Sequence, residues 1–465
     1  MKAHSKLNTI VVGAGGGGIA SALLASLRGE SVTLVEAHSY LGGCASYFRR
    51  GKFVFDAGAT TVSGVGTGEP LGELFGLLGK TPDLVLSDPG IVFHLSSGKV
   101  IRYHHDFERW MQELEKHFPQ LSHRAFWALV KKINQKSWKL LRDVSTFPMQ
   151  SLNDFLPVFK HPEHVSLVPH LLVSTELMLK RHGLDTPDYL ELVNGILIIS
   201  AQGTSAEIPF LVGAMALSYP GETYAPRGGM KGLMDFFEAE LVKRDIAIRK
   251  NSPVISFRKN EITLSTKEVL HADRLVMNLP IWNLASLAEG KLKEQFSEES
   301  EKRPEAWGAF TLYFGVKGAH QELYHQVHLN HPLVKNYFVS FSIPGDLNRA
   351  PEGHQAVSIS THVYVSDAIE RARLTEIIMA DFVKRFSGED IKFLNSGTPA
   401  TFEKFTGRYK GFVGGLPFLY GKNPFSLLSP LTKEASVFRV GDTVFPGQGI
   451  CGVVAGALQL HKRLS

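Results

Sequence analysis

A glycine-rich stretch near the N-terminus constrains the fold of this chain more than any other feature. Residues 9–12, Thr-Ile-Val-Val, are typical of a buried strand, the next six read Gly-Ala-Gly-Gly-Gly-Gly, and residues 19–27 are rich in alanine and leucine. Gly13, Gly15 and Gly18 fit the spacing G-x-G-x-x-G, whose glycines permit a tight turn, close approach to a pyrophosphate and packing of helix on strand. The helix N-terminus then presents unpaired N–H groups to the phosphates. The stretch predicts a strand–turn–helix unit that binds a dinucleotide.

A second predicted strand, residues 31–35, ends at Glu36, 23 residues after Gly13. At that distance the carboxylate can accept hydrogen bonds from both hydroxyls of an adenosine ribose. The carboxylate of Glu36 disfavours NADP, because the 2′-phosphate of that cofactor would place a second negative charge beside it. The pattern leaves FAD or NAD as the cofactor. A glycine turn that serves only to pack the helix is the alternative interpretation.

The segment that follows resembles a known family. Gly42, Gly43 and Cys44 come directly after a short spacer, and residues 55–58 read Phe-Asp-Ala-Gly. This order is similar to that of the flavin amine oxidase and phytoene desaturase superfamily. The resemblance implies that the glycine pair lies against the pyrophosphate and ribityl chain of FAD.

The C-terminal part extends the resemblance. A predicted strand ends at Gly441-Asp442, and residues 445–449 read Phe-Pro-Gly-Gln-Gly before a helix of small residues. This pattern resembles the carotenoid branch of the superfamily, namely phytoene desaturases, carotenoid isomerases and retinol saturases. The resemblance implies that Asp442 accepts a hydrogen bond from a ribityl hydroxyl. It also implies that a helix N-terminus approaches the flavin carbonyl end, where negative charge accumulates on reduction.

The resemblance therefore implies FAD as the cofactor, with contacts spread over the whole chain and Val254 contacting the adenine side through its backbone. The predicted FAD-binding residues are Gly13, Ala14, Gly15, Gly17, Gly18, Glu36, Gly42, Gly43, Cys44, Ala59, Thr60, Val254, Gly441, Asp442, Gly449 and Ile450. No metal site is predicted, because the two cysteines, Cys44 and Cys451, offer no ligand set for zinc or an iron–sulfur cluster. A redox pair or two unpaired thiols are the alternatives for these cysteines.

A chain of 465 residues with 44% hydrophobic residues can bury large cores. Because both glycine-rich ends must meet around one cofactor, the predicted domains are interleaved. We expect an α/β fold, with a Rossmann-like FAD-binding domain of the glutathione-reductase type built from residues 1–105, 221–290 and 401–465. Residues 106–220 and 291–400 would form an α+β substrate domain, helical first and then an antiparallel sheet.

The positive charge is concentrated in one predicted helix, residues 123–144. It holds six of the lysines and arginines and, up to Arg142, no acidic residue, whereas the whole chain has a net charge of +5. Trp127 and Trp138 fall on nearly one face beside Lys131 and Arg142. This pattern predicts an amphipathic helix in contact with an anionic membrane surface, with an ordinary solvated helix face as the alternative. No recognised nucleic-acid-binding module accompanies the charge, so no nucleic-acid partner is expected.

The resemblance implies an FAD-dependent oxidoreductase acting on a carotenoid or related polyene or isoprenoid lipid. Desaturation, saturation and isomerisation of C–C bonds all remain open, with a quinone as a possible electron acceptor in the first case. The absence of an N-terminal signal pattern and the low cysteine content favour a cytoplasmic, peripherally membrane-associated protein.

Two rival functions stay open. A flavin amine oxidase would keep the N-terminal half but should differ in the C-terminal flavin loop. A non-catalytic isoprenoid-binding protein, resembling the GDP-dissociation inhibitors of prenylated GTPases, would need no flavin. The sequence identifies no catalytic residue. Glu207, Tyr219 and Tyr224 are polar candidates in an apolar stretch, each with a structural role as the alternative.

Overall fold

The computed structural model of the protein describes residues 6–145, 147–149, 160–365, 369–386, 390–421 and 427–465. The strands are β1 (Asn8–Val12), β2 (Ser31–Val35), β3 (Tyr47–Arg50), β4 (Phe53–Asp56), β5 (Leu84–Leu86), β6 (Ile91–His94), β7 (Val100–Tyr103), β8 (Tyr224–Pro226), β9 (Ala247–Arg249), β10 (Val254–Arg258), β11 (Glu261–Leu264), β12 (Val269–His271), β13 (Arg274–Met277), β14 (Trp307–Lys317), β15 (Tyr324–His328), β16 (Asn336–Phe341), β17 (His354–Tyr364), β18 (Lys392–Gly397) and β19 (Val437–Arg439). The helices are α1 (Gly16–Leu27), α2 (Pro70–Leu78), α3 (Phe107–His117), α4 (Arg124–Asp143), α5 (Val168–Leu171), α6 (Thr175–Arg181), α7 (Pro187–Ser200), α8 (Phe210–Ser218), α9 (Gly229–Lys243), α10 (Ile281–Leu287), α11 (Gly290–Glu301), α12 (Arg371–Phe386), α13 (Pro399–Thr406) and α14 (Gly449–Leu464).

A five-stranded parallel sheet organises the first layer, in the order β19-β13-β1-β2-β9. Its central strand β1 is apolar because neighbours and helices cover both of its faces. Val11 lies between Leu34 of β2 and Val276 of β13 and is fully buried. Helices α1 and α14 pack closely on this sheet and on each other. The five strands come from all three chain segments assigned to the flavin domain, and the Rossmann-like fold class is confirmed.

A seven-stranded sheet forms the second layer, in the order β18-β14-β17-β16-β15-β6-β7. Its long central strands, β14 and β17, pair antiparallel over eleven residues. Strands β6 and β7 belong to this sheet, because Val92 pairs with His325 of β15. The predicted boundary of the first flavin segment at residue 105 is therefore placed too late. The sheet pairing puts it before residue 91.

The helices between residues 107 and 218 pack into one apolar core with β6 and β7. The indole of Trp127 is central to it, 2% exposed, with Nε1 donating a hydrogen bond to Tyr189 Oη at 2.8 Å. Trp110 packs edge-on against the same ring, with centroids 5.2 Å apart. Within the part of the chain that the structure describes, none of the helices is long and apolar enough to cross a membrane.

Two charged side chains join the layers. Asp56, the last residue of β4, accepts a hydrogen bond from Arg349 Nη1 at 2.8 Å and another from the backbone N–H of Met230 at 2.8 Å. Arg349 Nε also donates to the carbonyl of Val54 at 2.8 Å. Asp56 and Arg349 are 2% and 5% exposed. The acidic residue of the Phe-Asp-Ala-Gly segment thus anchors the flavin domain to the loop between β16 and β17.

Candidate functional site

The turn between β1 and α1 has the close contacts that require glycine. Gly13 has φ +92°, and a Cβ atom on it would lie 2.7 Å from the carbonyl oxygen of Asn278. A Cβ atom on Gly18 would overlap the carbonyl oxygen of Gly13 itself. Asn278, at the end of β13, donates from Nδ2 to that same carbonyl at 3.0 Å. The turn is thus held closed by its contacts with Asn278, and the N–H of Gly13 donates to the carbonyl of Val35 at 2.8 Å.

Glu36 ends β2 beside this turn. Its Oε2 accepts from the backbone N–H of Ala14 at 2.7 Å and its Oε1 from the backbone N–H of His38 at 2.8 Å. Burial raises the pKa of this carboxyl group, and the two backbone hydrogen bonds oppose the shift. Each oxygen keeps a lone pair, because a carboxylate oxygen can accept two hydrogen bonds. The side chain is therefore placed to bind vicinal hydroxyls.

One large cavity, about 2670 Å³, runs from this turn to the second layer. Gly42 follows the spacer with φ +110°, and its N–H donates to the carbonyl of Ala14 at 2.8 Å, which fixes the second glycine turn against the first. The predicted residues that line the cavity are Gly13, Gly15, Gly17, Glu36, Gly42, Gly43, Cys44, Ala59, Thr60, Val254, Gly441, Asp442, Gly449 and Ile450. Ala14 and Gly18 lie behind this wall, where Ala14 binds Glu36 and Gly18 packs on Gly13.

Arg408 is a site residue that the sequence did not predict. It follows α13, lines the cavity, and donates from Nη2 to Asp442 Oδ2 at 2.7 Å. Its Nε donates to the carbonyl of Phe412 at 2.5 Å, which fixes the guanidinium plane. Arg408 also acts electrostatically on Cys44 of the Gly-Gly-Cys turn. The sequence around Arg408 shows no distinctive pattern, because the role of this arginine depends on the packing of α13 beside the Gly42-Gly43 turn.

The two cysteines line the same cavity and are free thiols. Burial raises the pKa of Cys44, and it raises the pKa of Cys451 well above its ordinary value. Both sulfurs are therefore protonated at neutral pH and poorly nucleophilic. Cys451 lies against Gly64.

Of the three polar candidates, Tyr219 alone reaches the cavity. Its hydroxyl forms a short hydrogen bond with Thr61 Oγ1, and burial raises its pKa. Glu207 is exposed and accepts from the backbone N–H of Thr204 at 2.8 Å, so it closes a turn. Tyr224 belongs to β8 and does not line the cavity.

The basic helix forms as predicted, but its aromatic face is not interfacial. Trp127 points into the core, and Trp138 lines the cavity. Arg124 is paired with Glu108 through two hydrogen bonds of 2.7 and 2.8 Å, and Arg142 donates to the carbonyl of Gly68. The helical period placed the two tryptophans on nearly one face. It could not show that this face turns inward.

A group of side chains with metal-ligand chemistry lies where α4 ends. Asp143, His161, Glu163 and His164 bring their ligand atoms within 4.8 Å of one another. The ammonium of Lys139 lies 2.8 Å from Glu163 and 3.7 Å from Asp143, so a side-chain cation already balances these carboxylates. Asp143 is separated from the other three by about twenty positions, so only the folded chain brings the four residues together.

The residues of the cavity fit FAD. Two glycine turns allow backbone N–H groups to approach a pyrophosphate, the carboxylate of Glu36 is placed for a ribose, and Arg408 supplies a cation near the second turn. The remaining cavity extends along an apolar wall of helices. That wall is formed by Trp138, Leu171, Ile199, Leu211, Val212 and Met215. The space is larger than the 300 to 1,000 Å³ or so of a typical single-ligand site.

Comparisons with known proteins agree with this geometry. Residues 17–397 match the family model described as flavin containing amine oxidoreductase. The chain is 23% identical to the chloroplastic prolycopene isomerase of Daucus carota, over 98% of this chain and 79% of that protein. It is 23% identical to the lycopene-forming phytoene desaturase of a Paracoccus species, over 98% and 97%. An oxidoreductase structure from Methanosarcina mazei superposes with a TM-score of 0.65 at 16% identity, covering 98% of this chain and 100% of the other.

Proposed function

Because the chain belongs to the flavin containing amine oxidoreductase family and is an FAD-dependent oxidoreductase, we propose that it alters C–C bonds of a carotenoid or related polyene lipid. The observation that carries the proposal is one continuous cavity, which is lined first by the predicted FAD-binding residues and then by the apolar helical wall. Two relatives that match 98% of this chain, named as a prolycopene isomerase and a phytoene desaturase, support the same substrate class. Desaturation, saturation and isomerisation remain the three candidate reactions.

A hydrocarbon polyene has no acidic or nucleophilic group, so the side chains of this protein act by binding, orienting and excluding water. Bound FAD supplies hydride transfer at its N5 position. Glu36 and the two glycine turns would hold the dinucleotide, and the ion pair of Arg408 with Asp442 would fix the segment beside it. The helical wall orients the chain and keeps water from it. Cys44 and Cys451 stay protonated, so neither offers a competing thiolate.

The decisive experiment follows the mass of the polyene. Purified protein is incubated with liposome-dissolved carotenoids, once with oxidised FAD and once with reduced FAD. Loss of two hydrogens identifies a desaturase, gain of two a saturase, and an altered retention time at unchanged mass an isomerase. Release of hydrogen peroxide with amines, in the absence of any polyene product, would instead support a flavin amine oxidase. Protein that never takes up FAD would contradict both and favour a non-catalytic lipid-binding protein.

We further propose that the protein is cytoplasmic and contacts the membrane surface at the cavity mouth. Val165, Val168 and Leu172 line the cavity and are 50%, 49% and 70% exposed, a large exposure for aliphatic side chains. Lys136 of the basic helix bonds to Ser166 in the same segment at 2.9 Å. Exposed aliphatic side chains beside lysines favour an anionic lipid surface. A membrane quinone is the electron acceptor that this position would make accessible.

Liposome co-sedimentation tests the membrane contact. The double substitution Val168→Asp and Leu172→Asp is expected to release the protein from anionic vesicles. Val242→Asp is the matched control, because Val242 is 61% exposed and does not line the cavity. Equal vesicle binding by both variants would contradict the membrane proposal and leave the polyene proposal standing.

A further inference from the structure

The central strands of the seven-stranded sheet bring several polar side chains to the cavity. The face turned away from the cavity packs its aliphatic and aromatic side chains, among them Phe310, Leu312 and Ile359, against α12. The residues between them point to the other face, because successive side chains of a strand alternate. Those that line the cavity include the polar residues Thr311, Gln326, Asn336, Ser360 and His362. The sheet therefore lines the cavity with polar side chains beside the apolar and aromatic ones of Ala309, Tyr313 and Phe338, whereas the helical wall is apolar.

Asn336 and His362 are neighbours on this wall. Phe338 of β16 pairs with Ser360 of β17, so the antiparallel register, continued by two residues, places Asn336 opposite His362. The hydroxyl of Thr361 donates to the carbonyl of Asn336 at 2.7 Å, which holds the two strands together at this point. Side chains directly opposite in an antiparallel pair lie about 5 Å apart at Cβ. One small ligand group can thus contact both.

Both side chains have hydrogen-bonding capacity left over. Asn336 Oδ1 accepts from Gln326 Nε2 at 3.2 Å, and among the described residues none accepts from Asn336 Nδ2. The imidazole of His362 makes no hydrogen bond with any described residue, although it packs edge-on against Trp307. Burial lowers the pKa of His362 to about 4, so the ring is neutral at pH 7, with one N–H donor and one acceptor nitrogen.

We propose that the substrate carries an oxygen function, a hydroxyl or a carbonyl, which Asn336 and His362 bind by hydrogen bonds. A pure hydrocarbon would displace water from these groups without replacing its hydrogen bonds, and that loss weakens binding. Sites built to bind a substrate hydroxyl discriminate strongly against the analogue that lacks it. The inference rests on the proposed function, because it names the class of polyene that the same cavity takes.

The test compares lycopene with its terminal diol, which carries a hydroxyl at each end and so presents one in either orientation. Each is added from detergent micelles to the FAD-loaded protein, and binding is read from the change in the flavin absorption spectrum. The diol is expected to bind at least about tenfold more tightly, equivalent to about 1.4 kcal/mol. In the variant His362→Phe with Asn336→Leu, the preference is expected to fall below about threefold.

The control is His271→Phe, since His271 lies on β12 and does not line the cavity. This variant should keep the full preference for the diol. Equal binding of the two polyenes by the wild type, or an unchanged preference in the cavity variant, would overturn the inference while the polyene proposal stands. If neither polyene changes the flavin spectrum of the loaded protein, the proposed function itself fails.

Discussion

Arg408 donates a hydrogen bond from Nη2 to Asp442 Oδ2 at 2.7 Å, which joins the end of α13 to the turn after β19 across 34 residues. The side chains are 13% and 15% exposed, so water screens the pair little. Asp442 was predicted to bind the ribityl chain, and the ion pair shows which group holds its carboxylate in place. The ion pair also holds the guanidinium of Arg408 near the Gly42-Gly43-Cys44 turn.

The first prediction concerns this ion pair. Arg408→Met is expected to weaken FAD binding by at least about tenfold, because Asp442 is left buried without its partner. The double variant Arg408→Met with Asp442→Asn should recover part of the loss, since no unpaired charge remains. Titration of apoprotein with FAD, followed by quenching of flavin fluorescence, measures both. Affinity equal to that of the wild type in the single variant would show that the pair does not support the cofactor site.

The second prediction compares two glycines in helices. Gly18→Ala is expected to abolish FAD uptake, because the new Cβ atom would overlap the carbonyl oxygen of Gly13 and open the turn. Gly76→Ala is the control, since a Cβ atom on Gly76 meets no atom within 4 Å. That substitution should stabilise α2 by about 0.5 to 1 kcal/mol. Thermal unfolding and the visible absorption of the purified variants report the two effects, and a yellow Gly18→Ala protein would contradict the first.

The third prediction concerns Asp56 and Arg349, which anchor the two layers. Asp56→Ala leaves the buried guanidinium without its carboxylate and is expected to destabilise the fold by about 3 to 5 kcal/mol. Because Arg349 also donates to the carbonyl of Val54, it cannot turn away to water without losing a second hydrogen bond. Urea unfolding measures the change. A loss below about 1 kcal/mol would mean that the anchor contributes little to the stability of the fold.

The fourth prediction concerns pH. Burial, together with hydrogen bonding and repulsion from Glu69, raises the pKa of Glu222 to about 8 from its ordinary value of 4.5. Between these values the folded protein binds a proton that the unfolded chain releases. This contribution to stability is fully present below about pH 4.5 and is lost progressively as the pH rises from there through about 8. Glu222→Gln should therefore raise the Tm at pH 8.5 relative to the wild type.

The control for this prediction is the same comparison at about pH 4, below the ordinary pKa of 4.5, where Glu222 is largely protonated in both the folded and the unfolded protein. Wild type and Glu222→Gln should there differ little in Tm, because a neutral carboxylic acid and an amide have similar size and polarity. A Tm difference that does not change between the two pH values would show that the pKa of Glu222 is not raised in the folded protein.

Most of the cofactor site follows from local sequence. The turn at Gly13, Gly15 and Gly18 and the carboxylate of Glu36 lie within one strand–helix–strand unit, whose geometry fixes their relative positions. The Gly-Gly pair and Gly441 were found through resemblance to a family. For these residues the order along the chain and the identity of the side chain are enough, because glycine is the residue that permits the contacts observed.

Tertiary structure decided what depends on which face of an element turns inward and which distant segments meet. Arg408 reaches the site from another segment, β6 and β7 join the second sheet, and Trp127 is buried rather than interfacial. Asn336 and His362 become neighbours through a strand pairing across a gap of 26 residues. The period of two residues in a strand, or 3.6 in a helix, shows which side chains share a face. Which other element packs against that face depends on the packing free energy of the whole chain. The sequence alone therefore predicted the glycine turns and the carboxylate of Glu36, because these lie within short local segments. Only the assembled layers decided which side chains from distant segments line the cavity with them, because that depends on packing.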